Sequence, residues 1–534
     1  MGKTVADLFL EILASHGVKH IFGVIGDAIF PLAEALAKQD RIRYIPAGIE
    51  NGAAFMASYS AKLSGVLGVC VGTAGPGAAG LISGTGEAFL DGAPLLCLTG
   101  QVPTNKLGTA AKQYIQQGQL FSAVTSQTRL CGHPETLAPI LRRLIQTALE
   151  NKTAVHLEIP KDVLAAPAGP DSAPWVIGPV TYEGTGLSYG NLNDFTTAVT
   201  HAKNPLLVLG QAARPVADEL SQWALRWGAA IVLAQDAKGL IPDSAPAVIG
   251  GIGAAFLPEC WNEIDFIVLF GEAPFETPFF PGGATVWQID NAVHAAATAF
   301  QQIRSDFRVI LAKLEALSPA AAGRAAWNAK ISAARQARLV AAKPGGEKDG
   351  EISRGVMHPA AFSAMLAEMV KSDAVITLDV GEFDHWFNLG FMADRQTVLL
   401  STHWRGMGAG IPAAIAACCQ TPERQVVALV GDGGLLMSIP ELSVISRERL
   451  PLTVIVYRNQ CYGLEEQKMK KEGCPVFGTK LALPDMLKLA ESFGIKGYRL
   501  TAPQNGAALL QQALAEPPAL VEVPVTSPAL PYLK

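Results

Sequence analysis

Short apolar runs closed by glycine recur along the chain, and an amphipathic stretch follows most of them. Near the start, His20 to Ile25 ends at Gly26-Asp27, Val66 to Val71 runs into Gly72-Thr73-Ala74-Gly75-Pro76-Gly77, and Pro94 to Leu98 precedes Thr99-Gly100-Gln101. A second set comprises Pro205 to Leu209, closed by Gly210, then Ala230 to Leu233, Phe266 to Phe270 and Val286 to Ile289. A third comprises Val375 to Val380, Val426 to Val430 and Leu452 to Tyr457. Runs this short, rich in Val, Ile and Leu and bounded by turn residues, read as strands buried on both faces. Their alternation with helical stretches predicts β-α units on parallel sheets. The expected fold is α/β, with three doubly wound parallel-sheet domains over residues 1–170, 186–335 and 352–534. The Pro- and Gly-rich stretch from Ala165 to Gly186 should link the first two, and the polar run from Lys343 to Gly350 the last two.

Composition agrees with several packed cores: 49% of the 534 residues are hydrophobic, too many for a disordered chain. A net charge of −5, with no block dense in Lys and Arg, gives no sign of a nucleic-acid surface. No apolar run is long enough to span a membrane, and the first residues lack a signal-peptide layout. The 8 cysteines show no metal-ligand spacing and sit among apolar neighbours, so buried free thiols are expected. A cytoplasmic location follows from these features.

The chemistry concentrates at two strand ends. Val426 to Val430 stops at Gly431-Asp432-Gly433-Gly434, and the next strand ends at Tyr457-Arg458-Asn459. Ligands of open α/β sheets bind at that edge, and glycines let phosphate oxygens approach backbone N–H groups. One carboxylate and one amide oxygen suit Mg²⁺, which takes hard oxygen ligands shared with phosphates. A helix is expected to begin near Pro440-Glu441-Leu442.

Gly431-Asp432-Gly433, followed by Asn459, resembles the fingerprint of the thiamin diphosphate-dependent enzymes. The likeness covers most of the chain and is closest to the group holding acetolactate synthase, pyruvate oxidase and pyruvate decarboxylase. It implies a pyrimidine-binding, a central Rossmann-like and a pyrophosphate-binding domain, in chain order. It also implies Mg²⁺ held by Asp432, Asn459 and the backbone carbonyl of Cys461. Where the family often has Asn before the metal Asn, this chain has Arg458. Glu50, in Gly48-Ile49-Glu50-Asn51-Gly52-Ala53-Ala54, matches the Glu that hydrogen-bonds N1′ of the aminopyrimidine. A carboxyl that donates there must keep its proton, which apolar surroundings favour. Met407, in Gly406-Met407-Gly408, matches the apolar residue that bends the cofactor into a V and so makes the C2 proton transfer intramolecular. Thr73, Gly381, Glu382, Gly433, Gly434, Tyr462 and Gly463 complete the implied cofactor-binding set. Glu50 and Asp432 belong to different subunits in the family, so the resemblance implies a homodimer or homotetramer.

The implied reaction is decarboxylation of a 2-oxo acid to an enamine, which is protonated, ligated to a second carbonyl, or oxidised. The enzyme would be a lyase or a transferase. Asp27 and Glu465 resemble the two pocket acids of pyruvate decarboxylase and could relay a proton. Asp27 suits a helix cap equally, and Glu465 a solvated helix face. The substrate pocket implied includes Ile25, Gly26, Asp27, Gln101, Lys112 and Gln113, with Gln113 among the catalytic residues. Lys112 stands where relatives carry Phe and could pair with an anionic substrate group, or could lie at the surface. The paired His of pyruvate decarboxylase are absent, Gln116-Gln117 occupying that region. Phe275 to Pro281 and Gln288-Ile289-Asp290 resemble the pyruvate oxidase middle domain, so FAD is possible. It is not favoured, because no Arg there would hold a flavin diphosphate. Nor is there an extra membrane-binding helix after Val521-Glu522-Val523. Two alternatives remain: an FAD-containing pyruvate oxidase-like or acetolactate synthase-like enzyme, and a non-catalytic cofactor-binding homologue.

Overall fold

The computed structural model describes residues 2–169, 191–273, 281–290, 301–317, 324–342, 355–500 and 503–533. Three six-stranded sheets, every recorded strand pair parallel, form the three α/β domains. The first sheet holds β1 (His20–Gly23), β2 (Arg43–Pro46), β3 (Gly68–Gly72), β4 (Leu95–Gln101), β5 (Gln127–Leu130) and β6 (Ala154–Pro160), in the order 2-1-3-4-6-5. The second holds β7 (Pro205–Leu209), β8 (Ala230–Leu233), β9 (Val248–Gly251), β10 (Phe266–Phe270), β11 (Thr285–Asp290) and β12 (Gln301–Arg304), in the order 12-11-10-7-8-9. The third holds β13 (Val375–Leu378), β14 (Thr397–Leu399), β15 (Val426–Gly431), β16 (Leu452–Arg458), β17 (Lys496–Arg499) and β18 (Ala519–Pro524), in the order 14-13-15-16-18-17.

The outer two domains therefore share one topology, and the central one has the strand order of a Rossmann sheet. In the outer domains the chain reverses direction across the sheet between the first and third strands. That topological switch point is where an open α/β sheet leaves a ligand crevice. Gly26 and Thr73 lie there in the N-terminal domain, and Gly381 and Asp432 in the C-terminal domain.

The outer domains also pack on each other. The helices Glu50–Ser64 and Gly410–Gln420 are built largely of small residues, and Ala53, Ala57, Ala413 and Ala417 share one buried core. Small side chains let the two helices approach closely, so the start of one and the loop before the other are fixed relative to each other.

Three expectations change. The helix after β15 begins at Asp432 itself, and Pro440 lies in a 3₁₀ turn, Ile439–Glu441, that joins it to the next helix, Leu442–Glu448. The expected linker starts later than Ala165. Ala166 and Ala168 are bonded to the N-terminal residues Val5 and Lys3, and Thr4 bridges Pro167. Among the cysteines, Cys474 is exposed and Cys419 half-buried, while the other six are buried, and all are free thiols. The rest of that linker, the segment from Phe275 to Phe280, and the run from Lys343 to Gly350 lie outside the described residues. Among the described residues, no helix is long and apolar enough to cross a membrane.

Candidate functional site

At the C-terminal switch point a cavity of about 290 Å³ opens between the ends of β13, β15 and β16. Its lining includes Gly381, Glu382, Met407, Asp432, Gly433, Gly434, Asn459, Cys461, Tyr462, Gly463 and Glu465. The buried Asp432 is anchored by backbone alone: Oδ1 accepts from the Gly433 N–H at 2.9 Å, and Oδ2 from Gln460 at 2.6 Å and Asn459 at 3.1 Å. Burial raises its pKa, and the three N–H groups and Arg458 oppose that rise. Gln460 takes a left-handed conformation, φ 62°, which folds the chain back so that Asn459 Oδ1 accepts from the Cys461 N–H at 3.2 Å. Asp432, Asn459 and Cys461 thus converge in one turn. Among the described residues no group of three His, Cys, Asp or Glu could hold a metal.

Two glycines at this edge leave no room for a Cβ unless a neighbouring side chain shifts. A Cβ on Gly433 would lie 2.5 Å from the Tyr462 ring, and one on Gly434 would lie 2.2 Å from Asp379 Oδ2. Gly463 is equally constrained, since a Cβ there would lie 2.0 Å from Glu382 Oε2. Burial lifts the Glu382 carboxyl to about 7, and it accepts from the Ser527 hydroxyl. Arg458 turns away from the cavity and pairs with the buried Glu522 at 3.1 Å.

At the N-terminal switch point a second group forms. Glu50 is the first residue of its helix, beside the short helix Pro76–Gly80: a Cβ on Gly77 would lie 3.5 Å from its Oε1 and one on Gly80 would lie 3.2 Å from its Oε2. Thr73 Oγ1 accepts from the Ala28 N–H at 3.2 Å, and Gly26 packs on Thr73 so closely that a Cβ would lie 2.5 Å away. Asp27 is not a cap. Gly26 holds that position, and Asp27, 70% exposed, pairs with Lys161 at 2.5 Å. Lys112 and Gln113 are exposed, Gln113 with φ 66° and its carbonyl against Gly75. Ile25 is also exposed.

Gln101 differs from its expected place. It is fully buried, donates to the Ile115 carbonyl at 3.1 Å and to Glu158 at 2.7 Å, and accepts from the Val102 N–H. Its amide thus holds the segment after Lys112 rather than facing a pocket. Glu465 lines the C-terminal cavity but is also a solvated helix residue paired with Lys468 at 3.1 Å. None of the N-terminal group lines that cavity, whose walls run from Pro359 to Thr526.

Three carboxylates that sequence reasoning did not single out position these groups. Asp379 binds the Gly408 N–H next to Met407. Asp91 of the N-terminal domain accepts from the Thr402 and His403 N–H groups at 2.8 Å, at the start of the Met407 loop. Glu441 of the C-terminal domain accepts from Gly48 and Ile49, just before Glu50. All three partner backbone atoms, which leave no signature in a sequence.

Two like domains with glycine-rich crevices at their switch points, joined by a Rossmann-ordered domain, define a three-domain α/β protein built to receive a phosphate-bearing cofactor. Residues 3–123 match the description "Thiamine pyrophosphate enzyme, N-terminal TPP binding domain", 192–314 the central domain and 379–523 the C-terminal TPP binding domain. The chain is 30% identical, over 99% of its length and 93% of the relative's, to YdaP of Bacillus subtilis (strain 168), a protein named as thiamine pyrophosphate-containing. It is 28% identical to the acetolactate synthase isozyme 1 large subunit of Escherichia coli (strain K12), over 97% of this chain and 93% of the other. With the chloroplastic acetolactate synthase 1 of Oryza sativa subsp. japonica the identity is 27%, over 97% and 84%. The chain belongs to the thiamine pyrophosphate enzyme family and carries both of its cofactor-binding domains.

Proposed function

We propose that this protein is a thiamin diphosphate- and Mg²⁺-dependent enzyme that decarboxylates a 2-oxo acid and transfers the remaining fragment to a proton or a second carbonyl compound. The observation that carries the proposal is the turn in which Asp432, Asn459 and Cys461 converge beside Gly433 and Gly434, at the mouth of the C-terminal cavity. The Asp432 carboxylate, the Asn459 side-chain oxygen and the Cys461 carbonyl are hard oxygen donors that would suit Mg²⁺ shared with a diphosphate. Gly381, Glu382, Tyr462 and Gly463 would hold the diphosphate, and Met407, on the same cavity wall, would pack against the cofactor's rings. Once bound, thiamin diphosphate supplies a nucleophilic carbon and an electron sink.

The remaining steps belong to the chain's own side chains. Glu50 holds the proton at N1′ of the aminopyrimidine, with Thr73 beside it. The cavity walls are all C-terminal, so Glu50 serves the cavity of another copy, and the assembly is a homodimer or homotetramer. Asp27, paired with Lys161, and Glu465 relay a proton to the departing product. Gln113 contacts the reacting group. Lys112 and the backbone of Ile25 and Gly26 face the substrate's distal end, while Gln101 holds that wall in place.

Ligation to a second carbonyl is favoured over simple protonation, because the E. coli and rice relatives are named as acetolactate synthases. A bound FAD is the alternative. The test is a panel of 2-oxo acids, with CO₂, aldehyde and acyloin measured separately and a flavin absorbance scan of the holoenzyme. CO₂ release with acyloin and no flavin band is expected. No turnover of any acid despite bound cofactor would sink the proposal and leave a non-catalytic homologue.

A further inference from the structure

We propose that Glu441 is a positioning residue for Glu50: from the C-terminal domain, it completes the cap of the helix that Glu50 begins. The proposal rests on the role given above to Glu50. Ile49 is the residue before that helix, extended at φ −153°, and no side chain of the helix caps it. In a capping box the third helical residue is Glu or Gln, and its side chain reaches back to the backbone N–H of the cap residue. Here the third helical residue is Gly52, which has no side chain to offer.

Glu441 fills that place from another domain. Its Oε1 lies 3.2 Å from the Ile49 nitrogen and its Oε2 lies 3.1 Å from the Gly48 nitrogen. A Cβ on Gly52 would lie 2.1 Å from Glu441 Oε1, so the carboxyl occupies the space where a Gly52 side chain would begin. Gly48 is matched to the same partner, since its Cβ would lie 2.5 Å from the Pro440 carbonyl oxygen. Glu441 is fully buried, and among the described residues these two N–H groups are its hydrogen-bond donors. Glycines on both sides of Glu50 are thus shaped to one buried carboxyl, which sets both where the helix starts and where Glu50 points. The sequence feature that allows this is the 3₁₀ turn Ile439–Glu441, which carries the chain from the Asp432 helix to the domain boundary.

Glu441→Gln keeps size and shape but places an amide NH₂ against one of the two N–H donors. Purified wild type, Glu441→Gln, Glu50→Gln and Gln420→Ala are compared as holoenzymes with thiamin diphosphate and Mg²⁺. Gln420→Ala cuts a different contact of the same helix, its bond to Ser60 at 2.6 Å, and controls for general loosening. Three quantities are read: cofactor affinity by tryptophan quenching, C2–H/D exchange of the bound cofactor by NMR, and amide exchange over residues 45–60 by mass spectrometry. For Glu441→Gln, C2 exchange should slow about tenfold and the amides of residues 48–52 should exchange about tenfold faster, the effect of one lost buried hydrogen bond, with cofactor affinity within about threefold of wild type. Gln420→Ala should leave the C2 rate unchanged. A wild-type C2 rate in Glu441→Gln, with a slow one in Glu50→Gln, overturns this proposal alone. A wild-type rate in both overturns the role of Glu50 and this proposal with it. If Glu441→Gln does not fold, the double variant Glu441→Ala with Gly52→Glu returns a carboxylate to the same place from within the helix. Folded protein with restored C2 exchange supports the proposal, and folded protein without it overturns it.

Discussion

Asp379 grips Gly408 with both oxygens, each 2.9 Å from the glycine nitrogen. The carboxylate is buried at the end of β13, and Gly408 follows Met407 with φ 87°. Burial pushes the Asp379 carboxyl up to about 6, against the pull of the Val380 and Gly408–Gly410 N–H groups. The contact also reaches Gly434, which has no room for a side chain beside Asp379. One buried acid therefore ties the Met407 loop to the helix that begins at Asp432. Asp379→Ala leaves these N–H groups without an acceptor, at about 1–3 kcal/mol for such a loss. The expected outcome is a lower melting temperature and a kcat reduced more than KM is raised, measured by steady-state kinetics. Unchanged kcat would separate Met407 from any role in shaping the cofactor.

Cofactor binding should be readable as stability. A ligand that binds only the folded state adds about 2.7 kcal/mol at a hundredfold excess over its Kd. Wild type should therefore melt higher with thiamin diphosphate and Mg²⁺ together than with either alone, and a chelator should reverse the gain. Asp432→Asn and Asn459→Ala should melt near the apo wild type whether or not the pair is added. A full ligand-induced shift in both variants would place the metal elsewhere.

Lys112 is exposed in the single chain, next to the left-handed Gln113. If it faces a partner's cavity in the assembly, Lys112→Phe should lower kcat/KM for 2-oxo acids with an anionic side chain about tenfold or more relative to neutral ones, in line with losing one charge-assisted hydrogen bond. An identical substrate profile in wild type and variant would return Lys112 to the surface.

The missed strands show what a sequence hides. All six edge strands, β2, β5, β9, β12, β14 and β17, escaped the pattern of apolar runs. They are short, and several, such as Gln127–Leu130 and Lys496–Arg499, are largely polar because one side meets solvent. Two interior strands were missed for another reason. His156 and Glu158 interrupt β6, and Glu522 interrupts β18, yet each is buried with a partner: His156 with Thr99 and Thr128, Glu158 with Gln101, Glu522 with Arg499 and Arg458. Interior strands without such pairs were legible, and so were Asp432 and Asn459, because glycine and a polar residue at a strand end stand out against Val and Ile. Asp379, Asp91 and Glu441 were not, since each bonds the backbone of a segment remote in sequence. The proposed placement of Glu50 opposite another copy's cavity rests on the family resemblance and not on a pattern in the chain.

The pH dependence of apo stability follows from the same buried acids. Glu441 has its carboxyl raised from 4.5 to about 7, chiefly by burial, with the Gly48 and Ile49 N–H groups pulling the other way. Glu87 is raised to about 7 by burial, opposed by Lys62. A carboxyl whose folded pKa is raised binds its proton more tightly in the folded state. Its contribution to stability is full below 4.5 and is lost as pH rises through about 7. Asp91, lowered on balance by Lys62 and the Thr402 and His403 N–H groups although burial opposes them, acts in the opposite direction but only in the acid range below 3.8. Through these two carboxyls the apo melting temperature should therefore fall as pH rises from 4.5 to about 7. Glu441→Gln carries no proton to lose, so its melting curve against pH should be flatter than that of wild type and should cross it as pH rises. Calorimetry of the apo proteins across that range checks this. A parallel pair of curves would show that Glu441 does not titrate there, and that its hold on Gly48 and Ile49 is the same on both sides of neutrality.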